Sequence, residues 1–175
     1  VLIHGAADPV GLAAIQWALH VGAEIYATAD SAEKRAYLES LGVRFVSDSR
    51  ADKFVDDVLA WTGGEGVDVV LNSLPGETIP RSLELLRAQG RFVEIAQPDT
   101  YHNVRLGLQP FLRNLTFLFL DLGMMLRQQP ERVVSLLHEI VGLFASGVFV
   151  PPRLEEMSIA SAVDALGKLA QAQHL

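Results

Sequence analysis

The feature that most constrains this chain is an alternation. Short runs of β-branched and apolar residues recur, and stretches with a three-to-four-residue apolar rhythm separate them. The runs are Val1–His4, Glu24–Thr28, Arg44–Val46, Val67–Asn72, Arg91–Ile95 and Leu115–Leu120. Helical patterns fill the gaps at Pro9–Val21, Ala32–Leu41, Ala51–Trp61 and Ile79–Ala88, with Leu12, Ile15 and Leu19 marking one apolar stripe. Gly22, Gly42, Gly63-Gly64 and Gly90 follow the helical patterns, where a left-handed cap favours glycine. Strand-helix alternation of this kind builds βαβ units around a parallel sheet, and runs apolar throughout fit strands covered on both faces. With right-handed crossovers, the expected fold class is α/β, a doubly wound parallel sheet forming a Rossmann-like nucleotide-binding domain.

Beyond Leu120 the pattern changes. Pro130–Ser146 reads as a long amphipathic helix opened by its proline. "VFVPPRLEEMS" reads as extended, because each proline turns the preceding residue away from helix. A last helix is expected over Ile159–Gln173. The boundaries that follow are residues 1–150 for the nucleotide-binding domain and residues 151–175 for an extended segment and helix. Val1–His4 is a strand of buried type with no polar lead-in, which points to a piece of a longer protein.

Composition narrows the function classes. The 175 residues are half apolar and one-fifth charged, a globular balance. A net charge of -7 without a Lys/Arg-rich run argues against a nucleic-acid groove. The absence of cysteine removes disulfides, thiolate metal sites and a cysteine nucleophile. His4, His20, His102, His138 and His174 show no metal-like spacing. No apolar run reaches the roughly 18 to 20 residues of a membrane span. A soluble cytoplasmic domain is the expectation.

In a doubly wound sheet, ligands bind at the carboxyl ends of the strands where strand order reverses. Four loops should converge there, at residues 5–11, 28–34, 72–77 and 96–101. In the first, "GAADPVG", Gly5 and Gly11 would let a pyrophosphate rest on backbone N–H groups at a helix start. The residues alone equally allow a strand-to-helix turn with no ligand. In the second, "TADSAEKR", Ser31, Lys34 and Arg35 are placed for the extra phosphate of NADP, with Asp30 slightly beyond the strand end. The same residues also make an ordinary solvated first helical turn.

Four blocks carry a resemblance. "VLIHGAA..VGLAAIQ", "ATADSAEKRAYLESLGV", "DVLAWTGGEGVDVVLNSLPGE" and "GRFVEIAQPDTYHNVRLGLQPFLRNLTF" occur in the order found in the enoyl reductase domains of modular type I polyketide synthases. The related animal fatty acid synthase shares them, and all are similar to the medium-chain dehydrogenase/reductase superfamily. The likeness runs from Val1 to about Gln173 and covers only the nucleotide-binding part. It implies NADPH-dependent reduction of an α,β-enoyl thioester on an acyl carrier protein, with no metal. Hydride goes to the β carbon and a proton to the α carbon. On this resemblance Gly5, Val10 and Gly11 match the phosphate turn and Lys34 the 2'-phosphate lysine. Ser31 and Arg50 are further candidates for that pocket. Asn72 and Ser73 match strand-end residues beside the cofactor, and Ile95 and Ala96 border the nicotinamide. Without the family's substrate-enclosing barrel the chain is not expected to turn over. Other synthase domains are implied partners, as is a second copy meeting the 115–120 strand.

Two departures fall on positions that matter. Asp8-Pro9 stands where the family carries Gly-Gly. The pair suits a helix N-cap followed by a first helical residue, yet proline removes an N–H donor from the cradle. A carboxylate about 4 Å from a phosphate charge costs roughly 1 kcal/mol fully solvated, and about 4 kcal/mol at an effective dielectric near 20. Gln97 stands where the family carries a lysine paired with the aspartate matched by Asp121, and an amide is no proton donor near neutral pH. Together they predict impaired function. The alternatives are a catalytically silent pseudo-reductase kept for architecture or dimerisation, and a stand-alone quinone-oxidoreductase-like enzyme.

Overall fold

A computed structural model describes residues 1–50, 53–74, 76–95, 105–151 and 157–170. Six parallel strands form one sheet: β1 (Leu2–Ile3), β2 (Tyr26–Ala29), β3 (Phe45–Asp48), β4 (Val67–Asn72), β5 (Leu86–Ile95) and β6 (Thr116–Leu120). Their spatial order is β3-β2-β1-β4-β5-β6, the doubly wound order whose direction of winding reverses between β1 and β4. The helices between them are α1 (Pro9–His20), α2 (Ala32–Ser40), α3 (Lys53–Trp61) and α4 (Thr78–Glu84). After β6 come α5 (Leu122–Gln128), α6 (Pro130–Ala145) and, following a 3-10 turn at Ile159–Ser161, α7 (Ala162–Ala170).

Side-chain alternation along the strands sorts the core into two layers. Leu2, Tyr26, Val70 and Phe92 pack with Phe54, Val55 and Val58 of α3 and with Ile79 and Leu83 of α4. Ile3, Ala27 and Ala29 pack on the other face with Ile15 and Ala18 of α1 and Leu38 of α2. Helices on both faces are what the unbroken apolar strands require.

Several elements differ from the sequence expectation. On α1 the buried positions are Gly11, Ile15 and Ala18, while Leu19 is 55% exposed. The buried face keeps helical spacing at 11, 15 and 18, but small residues at two of these positions let the helix lie close to the sheet. Helix α4 ends at Glu84 instead of continuing to Ala88, and β5 starts at Leu86, which pairs with Val67. Gly66 explains the early end. At φ +80 it brings its backbone onto the Leu85 carbonyl, and a Cβ there would collide with that oxygen. The Val67 N–H then donates to Leu85 O at 2.8 Å. Gly90 therefore lies inside β5 and not after a helix, whereas Gly22, Gly42 and Gly63 do have the positive φ of helix caps. Strands β2 and β3 end at Ala29 and Asp48, one and two residues later than expected. Helix α5 has no counterpart in the sequence reading. The segment after α6 docks on α1, where Gln16 donates to Val150 O at 3.1 Å and accepts from Val150 N at 2.8 Å. Phe149 meets Trp17 edge-on.

His4, beside the first turn, is fully buried. Its ring nitrogens hydrogen-bond Thr28 Oγ1 at 2.9 Å and Ser82 Oγ at 2.8 Å, joining β1 to β2 and to α4. Burial pushes its pKa from 6.5 down to about 3. The unfolded chain thus takes up a proton that the folded chain refuses. The stability of neutral His4 is complete above about pH 6.5 and declines as pH falls toward 3. The expected loss between pH 7 and pH 5 is about 2 kcal/mol. Urea denaturation at the two pH values checks this, and His4→Gln should flatten the decline. An unchanged slope in that variant contradicts the assignment.

Candidate functional site

The carboxyl ends of β1 and β4 bracket the crevice where winding reverses, and two loops meet across it. The first runs from Gly5 into α1. Gly5 has φ +58, and a Cβ on it would stand 3.0 Å from both Asp8 Oδ2 and Ser73 Oγ. Gly11 has no space for a Cβ at all, because the Gly5 carbonyl and Ala6 Cα fill it. These two contacts fold the turn tightly and press the start of α1 onto β1. The Asp8 N–H donates to Gly5 O and the Leu12 N–H to Asp8 O, at 3.0 and 2.9 Å. The N–H groups of Val10 and Gly11 precede that first helical bond and face the open helix end.

Asp8 takes the backbone position of an N-cap, but its side chain makes no capping bond. Its carboxylate reaches across to the second loop instead. Lys34 Nζ donates to Asp8 Oδ1 at 3.1 Å and lies 3.4 Å from Asp30 Oδ1. The lysine side chain is only 14% exposed, whereas Asp8 and Asp30 are 50% and 55% exposed. Burial pulls the Lys34 ammonium down, but the hydrogen bond and charge of Asp8, with those of Asp30, outweigh it and hold its pKa above the usual value. The lysine expected to receive a 2'-phosphate is therefore held by two carboxylates of its own chain. Because β2 continues to Ala29, Asp30 also stands directly at the strand end, one place nearer than the sequence suggested.

The other candidates fall into place around this pair. Ser31 caps α2, its Oγ accepting from the Lys34 backbone N–H at 3.1 Å. Arg50 is largely exposed and lies beside Asp48, with Nε 3.5 Å from Oδ1. The Arg50 backbone N–H, against the effect of burial, and then the Arg50 and Arg35 guanidiniums hold Asp48 below the usual carboxylate range. Asn72 is fully buried. Its amide donates to Leu74 O and Glu94 Oε2, both at 2.7 Å, and accepts from Leu74 N at 3.3 Å. It shapes the loop through backbone and neighbour, while Ser73 Oγ is the group beside Gly5. Ile95 ends β5 in register with Leu120, so Asp121 follows at the adjoining strand end. Asp121 Oδ1 accepts from Met124 N at 2.9 Å and caps α5. Ala96 and Gln97 lie outside the described residues. The Asp8–Lys34 pair and the buried Asn72–Glu94 pair were missed in the sequence; only the four-residue spacing of Asp30 and Lys34 gave a signal.

Gly5, Ala7, Asp8, Ala29, Asp30, Lys34, Ser49 and Leu74 line a cavity of about 40 Å³, little more than one water's share of liquid volume. The backbone of the turn fits a pyrophosphate, with a helix start, a positive-φ glycine and a close glycine contact. The charges around Lys34 do not fit a further phosphate. No group of three His, Cys, Asp or Glu side chains that could hold a metal exists among the described residues. No helix among them is long and apolar enough to cross a membrane.

Comparison with known proteins agrees with this geometry. Residues 9–139 match the family described as zinc-binding dehydrogenase. The chain is 43% identical over 174 residues to a mycocerosic acid synthase-like polyketide synthase of Mycolicibacterium smegmatis, covering 99% of this chain and 8% of that protein. It is 44% identical, with a TM-score of 0.80, to the nucleotide-binding subdomain of the enoylreductase domain of PpsC from Mycobacterium tuberculosis, covering 85% of this chain and 83% of that one. A quinone oxidoreductase of Escherichia coli solved with NADPH is 28% identical with a TM-score of 0.74, covering 87% of this chain and 47% of that one. The chain belongs to the zinc-binding dehydrogenase family, and within it to the enoyl reductase domains of modular type I polyketide synthases, of which it is the nucleotide-binding part.

Proposed function

We propose that this chain is the cofactor-binding part of an enoyl reductase descended from the NADPH-dependent kind, which acts on an α,β-enoyl thioester held by an acyl carrier protein, and that its use of NADPH is impaired in this copy. The observation that supports a reductase is the Gly5–Gly11 turn, packed against β1 at the reversal of strand order. A bound dinucleotide would supply hydride for the β carbon. The N–H groups of Val10 and Gly11 would hold its pyrophosphate and Ser73 would border it. Ile95, with Ala96 beyond it, would edge the nicotinamide end. Lys34, Ser31 and Arg50 surround the place for the adenosine end.

The impairment has two sources. Asp8 adds a negative charge to the phosphate turn and holds Lys34, while Pro9 has no N–H to give. At the other end Asp121 stands where the family's aspartate stands, but Gln97 replaces the lysine of that pair. An amide neither donates a proton near neutral pH nor carries positive charge, so delivery of a proton to the α carbon lacks its donor. The Asp8–Lys34 pair also favours a second reading, a silent reductase retained for architecture. The exposed edge strand β6, with Leu118 and Phe119 half-exposed, suits a contact with a second copy. Sedimentation velocity should then give a dimer, and a monomer at every concentration removes the contact.

Calorimetric titration with NADPH checks the impairment. The chain should bind weakly, and Asp8→Gly/Pro9→Gly should bind about five-fold tighter or more, the factor for one solvated carboxylate removed from a phosphate. Tight binding by the unaltered chain, with no gain in the variant, contradicts the reading.

A further inference from the structure

Resting on the reading of the site as a nicotinamide dinucleotide site, the geometry points to a reversed coenzyme preference: we infer that Asp30 and Asp8 together make the adenosine end of this site take an unphosphorylated ribose, and so NADH in preference to NADPH.

Three observations carry this. Asp30 follows Ala29, the last residue of β2, and so stands at the strand end beside the phosphate turn. In doubly wound folds a carboxylate placed there accepts from the ribose hydroxyls, whereas a 2'-phosphate needs a cation in the same place. Asp30 is more than half exposed and lines the cavity together with Gly5 and Ala29, so its oxygens are open to a hydroxyl donor. The cation that would receive a phosphate is already engaged. Lys34 Nζ is 3.1 Å from Asp8 Oδ1 and 3.4 Å from Asp30 Oδ1, with little of its side chain left in contact with solvent.

The two carboxylates in contact with Lys34 give the sign. Arg35 and Arg50 share the single carboxylate of Asp48, so the wider cluster is balanced overall. The preference rests on Asp8 and Asp30, which hold Lys34 away from a dianionic 2'-phosphate but accept a neutral hydroxyl. For the phosphate to enter, Lys34 must leave both partners, and two carboxylates then face the incoming charge. A ribose hydroxyl asks for no such rearrangement. It donates to Asp30 while the Asp8–Lys34 bond stays in place.

The test measures dissociation constants for NADH and NADPH, by calorimetry, for this chain and for Asp8→Asn, Asp30→Asn and the double variant. Both carboxylates are half-exposed, so the amides should be tolerated, and thermal melting confirms that each variant is folded. The chain should bind NADH at least as tightly as NADPH. The ratio should move toward NADPH in each single variant and by ten-fold or more in the double variant, where Lys34 has no carboxylate partner. 2',5'-ADP and 5'-AMP, which lack the nicotinamide and differ only in the 2'-phosphate, should show the same trend and so locate it at the adenosine end. Binding of NADPH ten-fold tighter than NADH by the unaltered chain overturns the inference and leaves the reductase reading intact. An unchanged ratio in the double variant does the same. Failure of all four proteins to bind either dinucleotide overturns both together.

Discussion

The close contact between α1 and β1 at Gly11 governs the rest of the molecule. The backbone of this helix rests on the Gly5 carbonyl with no room for a methyl group. That approach lets small residues face the sheet and directs the start of α1 into the crevice between β1 and β4. A sheet buried on both faces has few places where backbone N–H groups can reach a ligand. The switch point is one of them, and the glycine contact keeps it open at main-chain level.

On this geometry the side chains add an electrostatic character of their own. Asp8 leaves its capping role and crosses to Lys34, joining the two loops that a dinucleotide would otherwise bridge. The Asp8 carboxylate occupies the surroundings of Lys34, the lysine suited to a phosphate. Fold and charge therefore separate cleanly. The turn keeps its shape because Pro9 suits the first helical position and Asp8 suits the backbone of an N-cap, while the phosphate-binding character is reduced. Buried polar pairs support the frame around it. His4 ties two strands to α4, and Asn72 and Glu94 lock adjacent strand ends. Both act below the crevice and neither needs a ligand.

Much of this was legible in the residues. The Val67–Asn72 strand and the start of α1 at Pro9 lie where local pattern places them, since a six-residue buried strand and a proline-led helix need no distant information. The end of α4 was not legible, because Leu85 and Leu86 continue a helical rhythm and the reason for stopping is Gly66, on a different segment. The true environment of Lys34 was hidden for a similar reason. Its principal partner is 26 positions away, and only the folded sheet brings the two loops together. Asn72 read as a cofactor neighbour through the family resemblance. The engagement of its amide by Glu94, 22 positions on, was not legible locally.

The central claim is that Lys34 is held by Asp8 and Asp30 and not left for a phosphate. The chain has three lysines, Lys34, Lys53 and Lys168, so their ammonium groups can be followed individually by heteronuclear NMR during a titration with NADPH. The account predicts a slowly exchanging Lys34 ammonium that Asp8→Asn makes fast and that millimolar NADPH leaves in place. A Lys34 signal that exchanges as fast as an exposed lysine and shifts at micromolar NADPH would contradict it.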